Sequence, residues 1–242
     1  MKVAICISGQ TRNYTKFYEL FKRNVLGVIP NSDIYISTWA EDNINQVKFL
    51  FNPKQIEVEY YNPNQLIDYN KFSQFSKQFQ NGSNAVPENQ VPMYYKMWRC
   101  NEMVKDSDIE YDLVIRTRFD HIYATPLDIY QLYEATKSKK TIYTYIDPLP
   151  QYPGWLYDGL AMGTPEVMNT YSELYLDLYN QALESNDWVS HVLLRDYITK
   201  NGLKPKNLNN VIGVVRSDTH FLLYFAQLFS EETMKQAWEN VK

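Results

Sequence analysis

The sequence predicts an α/β fold with a mostly parallel central sheet flanked by helices. Apolar runs of strand length alternate with segments of helical spacing through the first half of the chain. The run Leu113-Val114-Ile115 is rich in β-branched residues, which is typical of a strand buried on both faces. The 242 residues, 45% of them hydrophobic, suit one large domain or one domain with a small appendage.

Strands are expected where short apolar runs end at turn residues. The first, residues 2–8, ends at the turn SGQT, and the second, 33–38, follows the turn PNS. Residues 55–60 alternate in polarity as a third strand after Pro53. Further strands are predicted from residue 113 onward and at 141–145, 160–163 and 211–215.

Helices are expected where apolar residues recur every three or four positions. Residues 14–28 show this spacing, Pro92 suits the first turn of a helix over 93–104, and Thr164-Pro165 opens a helix over 164–183. The remaining helices are predicted at 64–79, 127–136, 188–200 and 231–241, with a polar loop at 81–87 and an aromatic loop at 147–159.

The segment YDLVIRTRFD places charged residues at the exit of the buried strand. On an extended chain side chains alternate, so Arg116, Arg118 and Asp120 share one face. Open α/β sheets bind ligands at the carboxyl ends of their strands. A carboxylate there can hold a divalent cation, and arginines can hold phosphate oxygens. The alternative is a structural Arg–Asp ion pair.

The exit of the first strand, Ser8-Gly9-Gln10-Thr11-Arg12, is a second candidate. A glycine and an arginine at a strand-to-helix turn let the backbone approach a nucleotide. Neither the dinucleotide fingerprint nor a P-loop is present. A tight turn with a solvated arginine is the alternative.

Composition narrows the class of protein. A net charge of −4 with no lysine/arginine run argues against nucleic acid as a partner. Two isolated cysteines, Cys6 and Cys100, form neither a zinc site nor a disulfide framework, so a reducing, cytoplasmic setting is expected. The N-terminus reads as a first strand and no run approaches the ~18 apolar residues of a membrane span, so we expect a soluble protein.

Several segments together resemble a known family. MKVAICISGQTRNY, SDIYISTW, MYYKMWRCNEM before YDLVIRTRFD, YDGLAMGTPEVMNTYSELY and HVLLRDYITKNGL occur in that order. They resemble nucleotide-sugar-dependent glycosyltransferases of the GT-A fold from bacterial polysaccharide clusters, large viruses and phages. The resemblance covers residues 1–216, and RTRFD and DGLAMGTPEVM are its most specific parts.

The resemblance implies a GT-A-like, Rossmann-like single domain over residues 1–242. Residues 1–110 would form the nucleotide-binding half, and 111–242 the half for metal, donor sugar and acceptor. The implied activity moves a sugar from a nucleoside diphosphate sugar to a hydroxyl of a glycan or glycoconjugate. The donor is expected to contact a set of residues made up of Ser8, Gly9, Gln10, Arg12, Lys96, Arg99 and Arg118.

The resemblance also implies a divalent metal. In that family an Asp-x-Asp motif ends a central strand, and its last carboxylate binds Mn²⁺ or Mg²⁺ that bridges the donor phosphates. Here Arg118-Phe119-Asp120 matches the motif, so Asp120 is the implied ligand and Arg118 replaces the first carboxylate. Arg118 can itself neutralise the diphosphate. His121 and His220 remain open as further ligands, although a partly exposed His121 that binds no metal is the favoured interpretation.

Three residues are implied to act on the sugar and the acceptor. Asp158, at the end of the aromatic loop, is expected to contact donor-sugar hydroxyls or to act as a general base in an inverting reaction. Asp187 or His191, near the start of helix 188–200, is expected to contact the acceptor or act as base. The alternatives are a turn carboxylate for Asp158 and a helix cap for Asp187.

Other interpretations stay open at this point. Lys96 and Arg99 lie on a helix whose aromatic stripe is equally typical of core, and Arg216 closes the last apolar strand, where it could return to the diphosphate. A catalytically weak binding module of the same fold, retaining affinity for a nucleotide-sugar or glycan, is the alternative function. A Rossmann-type oxidoreductase is disfavoured because the glycine fingerprint is missing.

Overall fold

The computed structural model describes residues 1–12, 14–16, 18–75, 86–147, 154–210, 212–217 and 220–223, with the backbone alone at 16, 74, 215–217 and 220–223. The strands are β1 (Val3–Gly9), β2 (Asp33–Trp39), β3 (Gln55–Glu59), β4 (Leu113–Thr117), β5 (His121–Tyr123), β6 (Thr141–Ile146), β7 (Leu156–Gly163), β8 (Lys204–Asn207), β9 (Ile212–Ser217) and β10 (His220–Leu223). The α-helices are α1 (Tyr18–Phe21), α2 (Ile44–Phe51), α3 (Pro63–Leu66), α4 (Tyr69–Phe72), α5 (Pro87–Lys105), α6 (Ile129–Ala135), α7 (Pro165–Ser172), α8 (Leu174–Ser185) and α9 (Ser190–Lys200).

The main sheet has seven strands in the order β3-β2-β1-β4-β7-β6-β8. Six of them run in the same direction and β7 runs opposite to them. A second, antiparallel sheet has the order β10-β9-β5. The predicted fold class, a Rossmann-like and mostly parallel sheet flanked by helices, is confirmed.

The sheet is buried on both faces because its strands carry apolar residues on both sides. In β1, Ala4 and Cys6 pack into one core cluster together with α5, α7, α8 and α9. Val3, Ile5 and Ile7 pack into the other, together with α1, α2 and α6. The continuous apolar runs of the sequence therefore reflect a sheet between two helical layers.

The strand order creates a crevice between β1 and β4. β1 pairs in parallel with β2 on one side and with β4 on the other, and Ile7 lies opposite Thr117. The chain therefore leaves β1 and β4 at the same edge of the sheet, where the direction of the winding reverses. Doubly wound sheets bind ligands at such a switch point.

The expected helix 14–28 is replaced by three short turns. A 3₁₀ turn, Tyr14–Lys16, precedes α1, and a π-helical turn, Lys22–Leu26, follows it. The buried side-chain amide of Asn24 donates to the carbonyl oxygen of Tyr123 at 2.6 Å, and the Asn24 carbonyl accepts from the Leu127 amide at 2.9 Å. Apolar spacing carries no sign of these long-range bonds, which disrupt the regular helix.

Helix α5 begins at Pro87, earlier than predicted, and passes through Pro92. Proline lacks an N–H, so the carbonyl of Glu88 loses its helical partner. The Tyr61 hydroxyl donates to that carbonyl at 3.4 Å. An outside donor thus compensates for the hydrogen bond that Pro92 removes, and the helix begins before the predicted start at Pro92.

The two other long helices are also divided. Residues 64–79 form α3 and α4, because Ile67 is extended and the Asp68 side chain accepts from the Lys71 amide at 3.3 Å to start a new helix. Helix 164–183 is divided at Glu173 into α7 and α8. Residues 76–79 lie outside the described residues.

Strand β7 begins at Leu156, four residues before the predicted start. Leu156 pairs with Ile146, and the Thr144 hydroxyl donates to the carbonyl of Tyr157 at 2.9 Å. Asp158 is therefore a strand residue and not the end of a loop, which corrects the expected boundary. Residues 148–153 of the expected loop lie outside the described residues.

Some elements had no sequence expectation, among them α2, β5 and β8. Strand β9 covers most of the predicted 211–215. Residue 211, the predicted helix 231–241 and residues 81–85 of the polar loop lie outside the described residues. Within the described residues, no helix combines the length and apolar character needed to cross a membrane.

Candidate active site

A cleft of about 840 Å³ opens at the carboxyl ends of β1 and β4. Its volume falls within the range of roughly 300–1,000 Å³ that is usual for small-molecule sites. It lies at the switch point of the sheet, where the topology predicts a ligand. The residues proposed from the sequence that line it are Ser8, Gly9, Gln10, Arg12, Arg118, Asp120, Asp158 and His191.

The exit of β1 forms an open and partly strained turn. Gly9 has φ +109°, and a Cβ at this position would meet no atom within 4 Å, so the backbone there faces open space. Arg12 has φ 47°, which is uncommon for a non-glycine residue. The Thr11 amide donates to Glu41 Oε1 at 3.1 Å and anchors the turn to the loop after β2.

Two arginines from different strand exits meet on one carboxylate. Arg12 Nη1 donates to Asp120 Oδ2 at 2.7 Å. Arg118 binds the same carboxylate in a fork, with Nε at 2.8 Å from Oδ1 and Nη2 at 2.8 Å from Oδ2. The Asp120 side chain is only 2% exposed, so these charges interact where water screens them little.

The electrostatics keep Asp120 ionised. Burial by itself raises the pKa of its carboxyl, but the charges of Arg118 and Arg12 oppose burial and hold that pKa well below its usual range. Since the folded pKa lies below the unfolded value, Asp120 stabilises the fold above the unfolded pKa of about 3.9. This stabilisation is lost as the pH falls from there towards the folded pKa.

We expect Asp120→Asn to flatten the acid limb of the stability curve. The amide mimics the protonated carboxyl, so we expect the variant to be less stable than wild type at neutral pH by about 2 kcal/mol. This difference in unfolding free energy should shrink progressively as the pH falls below about 4. Urea unfolding at a series of pH values measures both. A gap that stays constant down to pH 2.5 would contradict the assignment.

Arg116 is a further buried cation at this edge of the sheet. It is 2% exposed and lines the cleft. One guanidinium nitrogen donates to the carbonyl of Gly159, while Nε has no hydrogen-bond partner among the described residues. The side-chain oxygens of Ser8 and Gln90, which line the same cleft, also lack a partner within the described residues. Such groups in a polar cleft point to a polar ligand.

Asp158 faces these arginines from β7. Because β7 runs antiparallel to β4, with Arg116 opposite Ala161, its first residues lie beside the exit of β4. Burial raises the pKa of the Asp158 carboxyl. The charges of His191, Arg118 and Arg116 and a hydrogen bond from Ser190 outweigh burial and bring the pKa below its usual value. Asp158 is therefore a buried, ionised carboxylate in the cleft.

His121 is buried, which corrects the expectation that it is partly exposed. Its Nδ1 lies 2.9 Å from the Thr117 hydroxyl and its Nε2 2.8 Å from the Tyr157 hydroxyl. Burial lowers the pKa of His121 well below its usual value, so the ring is neutral. Both ring nitrogens are engaged, and the residue serves to position Tyr157 in the wall of the cleft.

His191, in the first turn of α9, also lines the cleft. Its ring centroid lies 5.8 Å from that of Trp155 and 6.1 Å from that of Tyr157. Trp155 and Tyr157, which belong to the expected aromatic loop, therefore lie beside His191 in the cleft that Asp158 also lines. A flat aromatic wall next to polar groups is suited to a sugar ring.

The structure does not bring Asp187 into the cleft. Its Oδ1 accepts from the amides of Trp188 at 2.6 Å and Val189 at 2.9 Å, ahead of α9. This is the helix-cap alternative, and it orders the turn that carries Ser190 and His191.

Lys96 and Arg99 also lie outside the cleft. Lys96 is fully buried, pairs with Glu59 and lies 4.2 Å from the centroid of the Trp39 ring. Arg99 Nη2 pairs with Glu57 Oε2 at 2.5 Å. The Lys96 and Arg99 side chains of α5 reach Glu59 and Glu57 of β3, so these cations neutralise the glutamates instead of reaching a phosphate.

Some cleft residues had no place among the sequence candidates. Trp39 is the last residue of β2, Glu41 follows that strand, and Gln90 lies in the first turn of α5. The sequence partly indicated Trp39 and Glu41, because the carboxyl end of a strand parallel to β1 lies at the same edge of the sheet. The side chains of Arg216 and His220 lie outside the described residues.

The described residues do not fit the Mn²⁺ or Mg²⁺ site that the resemblance implies. Hard divalent cations take several oxygen ligands. Both oxygens of Asp120 already accept from guanidinium groups, whose charge repels a cation. Among the described residues, no group of three or more His, Cys, Asp or Glu side chains is placed to hold a metal.

Comparison with known proteins gives one family match. A family model described as a domain of unknown function (DUF7796) matches residues 1–167. That span includes Arg12, Arg116, Arg118, Asp120 and Asp158, but not His191. No curated protein shows significant sequence similarity to the chain.

Solved structures with similar folds include three enzymes at low identity. Mouse xyloside xylosyltransferase 1, in its apo form, is 13% identical, with 86% of this chain and 85% of that chain covered and a TM-score of 0.45. Apo glycosyltransferase GlyE of Streptococcus pneumoniae TIGR4 is 11% identical, with 85% and 44% covered and a TM-score of 0.47. Galactosyltransferase LgtC, in complex with donor and acceptor sugar analogs, is 12% identical, with 86% and 73% covered and a TM-score of 0.44. At such low identities and TM-scores these likenesses do not assign a function.

Proposed function

This chain belongs to the family described as domain of unknown function DUF7796, and we propose that it is a glycosyltransferase that moves a sugar from a nucleotide-sugar donor to a hydroxyl of a glycan or glycoconjugate. One observation carries the proposal: Arg12, Arg116 and Arg118 face the ionised carboxylate of Asp158 in a single cleft at the switch point. A nucleotide-sugar needs this combination, because its diphosphate is anionic and its sugar becomes cationic during transfer.

The proposed reaction exchanges one bond at the sugar carbon C1. The bond from C1 to the diphosphate oxygen breaks, and its electron pair leaves with the nucleoside diphosphate. The acceptor oxygen forms the new bond to C1, and the acceptor proton passes to a base. The guanidinium groups stabilise the charge that develops on the diphosphate, and a carboxylate stabilises the positive charge on the sugar ring.

We assign different roles to Asp158 and His191. A general base works best when its pKa lies near the working pH, and the pKa of Asp158 is held below its usual range. Asp158 is therefore better suited to contact sugar hydroxyls and to stabilise positive charge. His191 lines the same cleft and carries the side chain most often used as a general base, so it is the proposed acceptor of the proton.

A donor panel tests the proposal. The protein is incubated with UDP-, GDP- and CDP-sugars and a range of glycan acceptors, with and without added Mn²⁺ or Mg²⁺, and released nucleotide is measured. We expect one donor to release nucleotide, and the rate to rise with a suitable acceptor. If no donor is turned over or bound under any condition, the proposal fails.

A binding module is the second candidate, and the state of Asp120 favours it. The carboxylate that the resemblance assigns to a metal is occupied by two arginines. Thermal stabilisation by a nucleotide, without turnover for any acceptor, would support this module and contradict the enzyme.

A further inference from the structure

Asp120 holds two guanidinium groups in place at the centre of the cleft. Its oxygens take two of the five N–H donors of Arg118 and one from Arg12. The Arg118 side chain is 12% exposed and that of Arg12 is 29% exposed, so each presents part of its guanidinium to the cleft. The Asp120 carboxylate therefore orients both guanidinium groups while part of each remains exposed to the cleft, where an anion can bind.

The third guanidinium of the cleft belongs to Arg116, two residues before Arg118. Arg116 and Arg118 are two positions apart at the exit of β4, and both line the cleft together with Arg12 from β1. Arg116 Nε is buried without a hydrogen-bond partner among the described residues. Three guanidinium groups from two strand exits therefore line one cleft, and two of them bind the Asp120 carboxylate.

We infer that these three arginines hold the donor diphosphate directly, in the place that a divalent cation takes in the resembling enzymes, and that Asp120 is a positioning residue for them. This inference rests on the proposed function and concerns how that site binds its leaving group. Guanidinium groups bind phosphate oxygens in pairs with fixed geometry, and their charge needs no second ligand set from the protein.

Asp120 makes the arrangement possible in the ligand-free protein. Three guanidinium groups that line one cleft without a counter-ion would repel one another. With Asp120 between Arg12 and Arg118, guanidinium nitrogens of both arginines are held 2.7–2.8 Å from the Asp120 oxygens before the ligand binds. Such preorganisation lowers the cost of binding a diphosphate.

The direct test measures binding without metal. Inorganic pyrophosphate, UDP, GDP and CDP are titrated into the full chain by calorimetry in EDTA, and then in Mn²⁺ or Mg²⁺. We expect pyrophosphate and at least one nucleoside diphosphate to bind in EDTA with an affinity that added metal does not increase. Binding that appears only with added metal overturns the inference.

The substitution Asp120→Asn distinguishes direct binding by arginines from binding through a metal. Asp120→Asn removes the carboxylate that a metal would need, but leaves the arginines with more net positive charge. We expect it still to bind pyrophosphate in EDTA, within about tenfold of wild type, because the gain in net positive charge offsets the lost positioning of the guanidinium groups, although its thermal stability is lower. A metal site would instead lose binding in this variant, and that loss overturns the inference.

Arg118→Gln and Arg99→Gln form a matched pair. Loss of a charge-assisted contact in the cleft should weaken pyrophosphate binding about tenfold or more, whereas Arg99 pairs with Glu57 outside the cleft and its loss should leave the affinity unchanged. Arg12→Gln, at a more exposed side chain, repeats the test if Arg118→Gln does not fold. Equal affinities in the cleft variants and wild type overturn the inference.

The outcomes separate the inference from the proposed function. Donor turnover that requires added metal leaves the transferase intact and removes only the arginine account. Absence of both nucleotide binding and turnover, with and without metal, removes both.

Discussion

We expect Asp158→Asn to reduce the rate of sugar transfer about a thousandfold while donor binding persists. The substitution keeps the shape of the side chain and removes its negative charge. Asp158 is 5% exposed and faces Arg116, Arg118 and His191, so no solvent replaces the lost charge. An interaction that matters mainly in the transition state lowers kcat and leaves ground-state affinity nearly intact. Steady-state kinetics with the selected donor measure the split.

Asp187→Asn is the matched control for this prediction. The same change from Asp to Asn at Asp187 removes a carboxylate just before α9. There Oδ1 only accepts hydrogen bonds from backbone amides, and the side-chain oxygen of Asn can accept them as well. We expect kcat close to wild type. Comparable losses in both variants, or a rise in KM with unchanged kcat in Asp158→Asn, would argue against the role of Asp158.

Gly159→Ala should destabilise the fold by about 3 kcal/mol and also weaken donor binding. A Cβ at position 159 would overlap the ring and hydroxyl of Tyr157. That ring cannot move aside freely, because it is 3% exposed and hydrogen-bonded to His121 Nε2 at 2.8 Å. Displacing it disturbs the wall of the cleft next to Asp158. Urea unfolding and nucleotide titration measure the two effects.

A double-mutant cycle shows whether the overlap is the cause. Tyr157→Leu removes the atoms that the new Cβ would meet, so Tyr157→Leu/Gly159→Ala should be more stable than the sum of the single changes predicts. Gly202→Ala controls for loss of glycine, since Gly202 has φ +75° with no atom within 4 Å of a Cβ and should cost about 1 kcal/mol. Additivity within the cycle would contradict the packing argument.

The sequence could locate one half of the site and only part of the other. Alternation along an extended chain predicted that Arg116, Arg118 and Asp120 share one face. The contact between Arg12 and Asp120 was not predicted, and it follows from the parallel pairing of β1 with β4. Asp158 could be named but not positioned, because nothing local indicated that β7 runs antiparallel and starts at Leu156. Strand direction depends on long-range pairing, which a single sequence does not reveal.

Charge alone was a weaker guide than strand position. Lys96 and Arg99 carry the right charge for phosphate, yet Glu57 and Glu59 of the adjacent β3 neutralise them. The alternation of β3, with Glu57 and Glu59 on one face, was visible in the sequence, but the pairing of these glutamates with Lys96 and Arg99 of α5 was not. Asp120 shows the same limit, since its partners decide whether it is a metal ligand or a counter-ion.

A crystal structure with the preferred nucleoside diphosphate, grown in the presence of a chelator, tests the central claim most directly. We predict the diphosphate in the cleft between β1 and β4, with its oxygens about 3 Å from guanidinium nitrogens of Arg12, Arg116 or Arg118. Asp158 should lie beyond the terminal phosphate, on the side where the donor sugar would be attached. A diphosphate bound elsewhere on the protein, or a cleft that stays empty at saturating nucleotide, would contradict the assignment of this cleft as a nucleotide-sugar site.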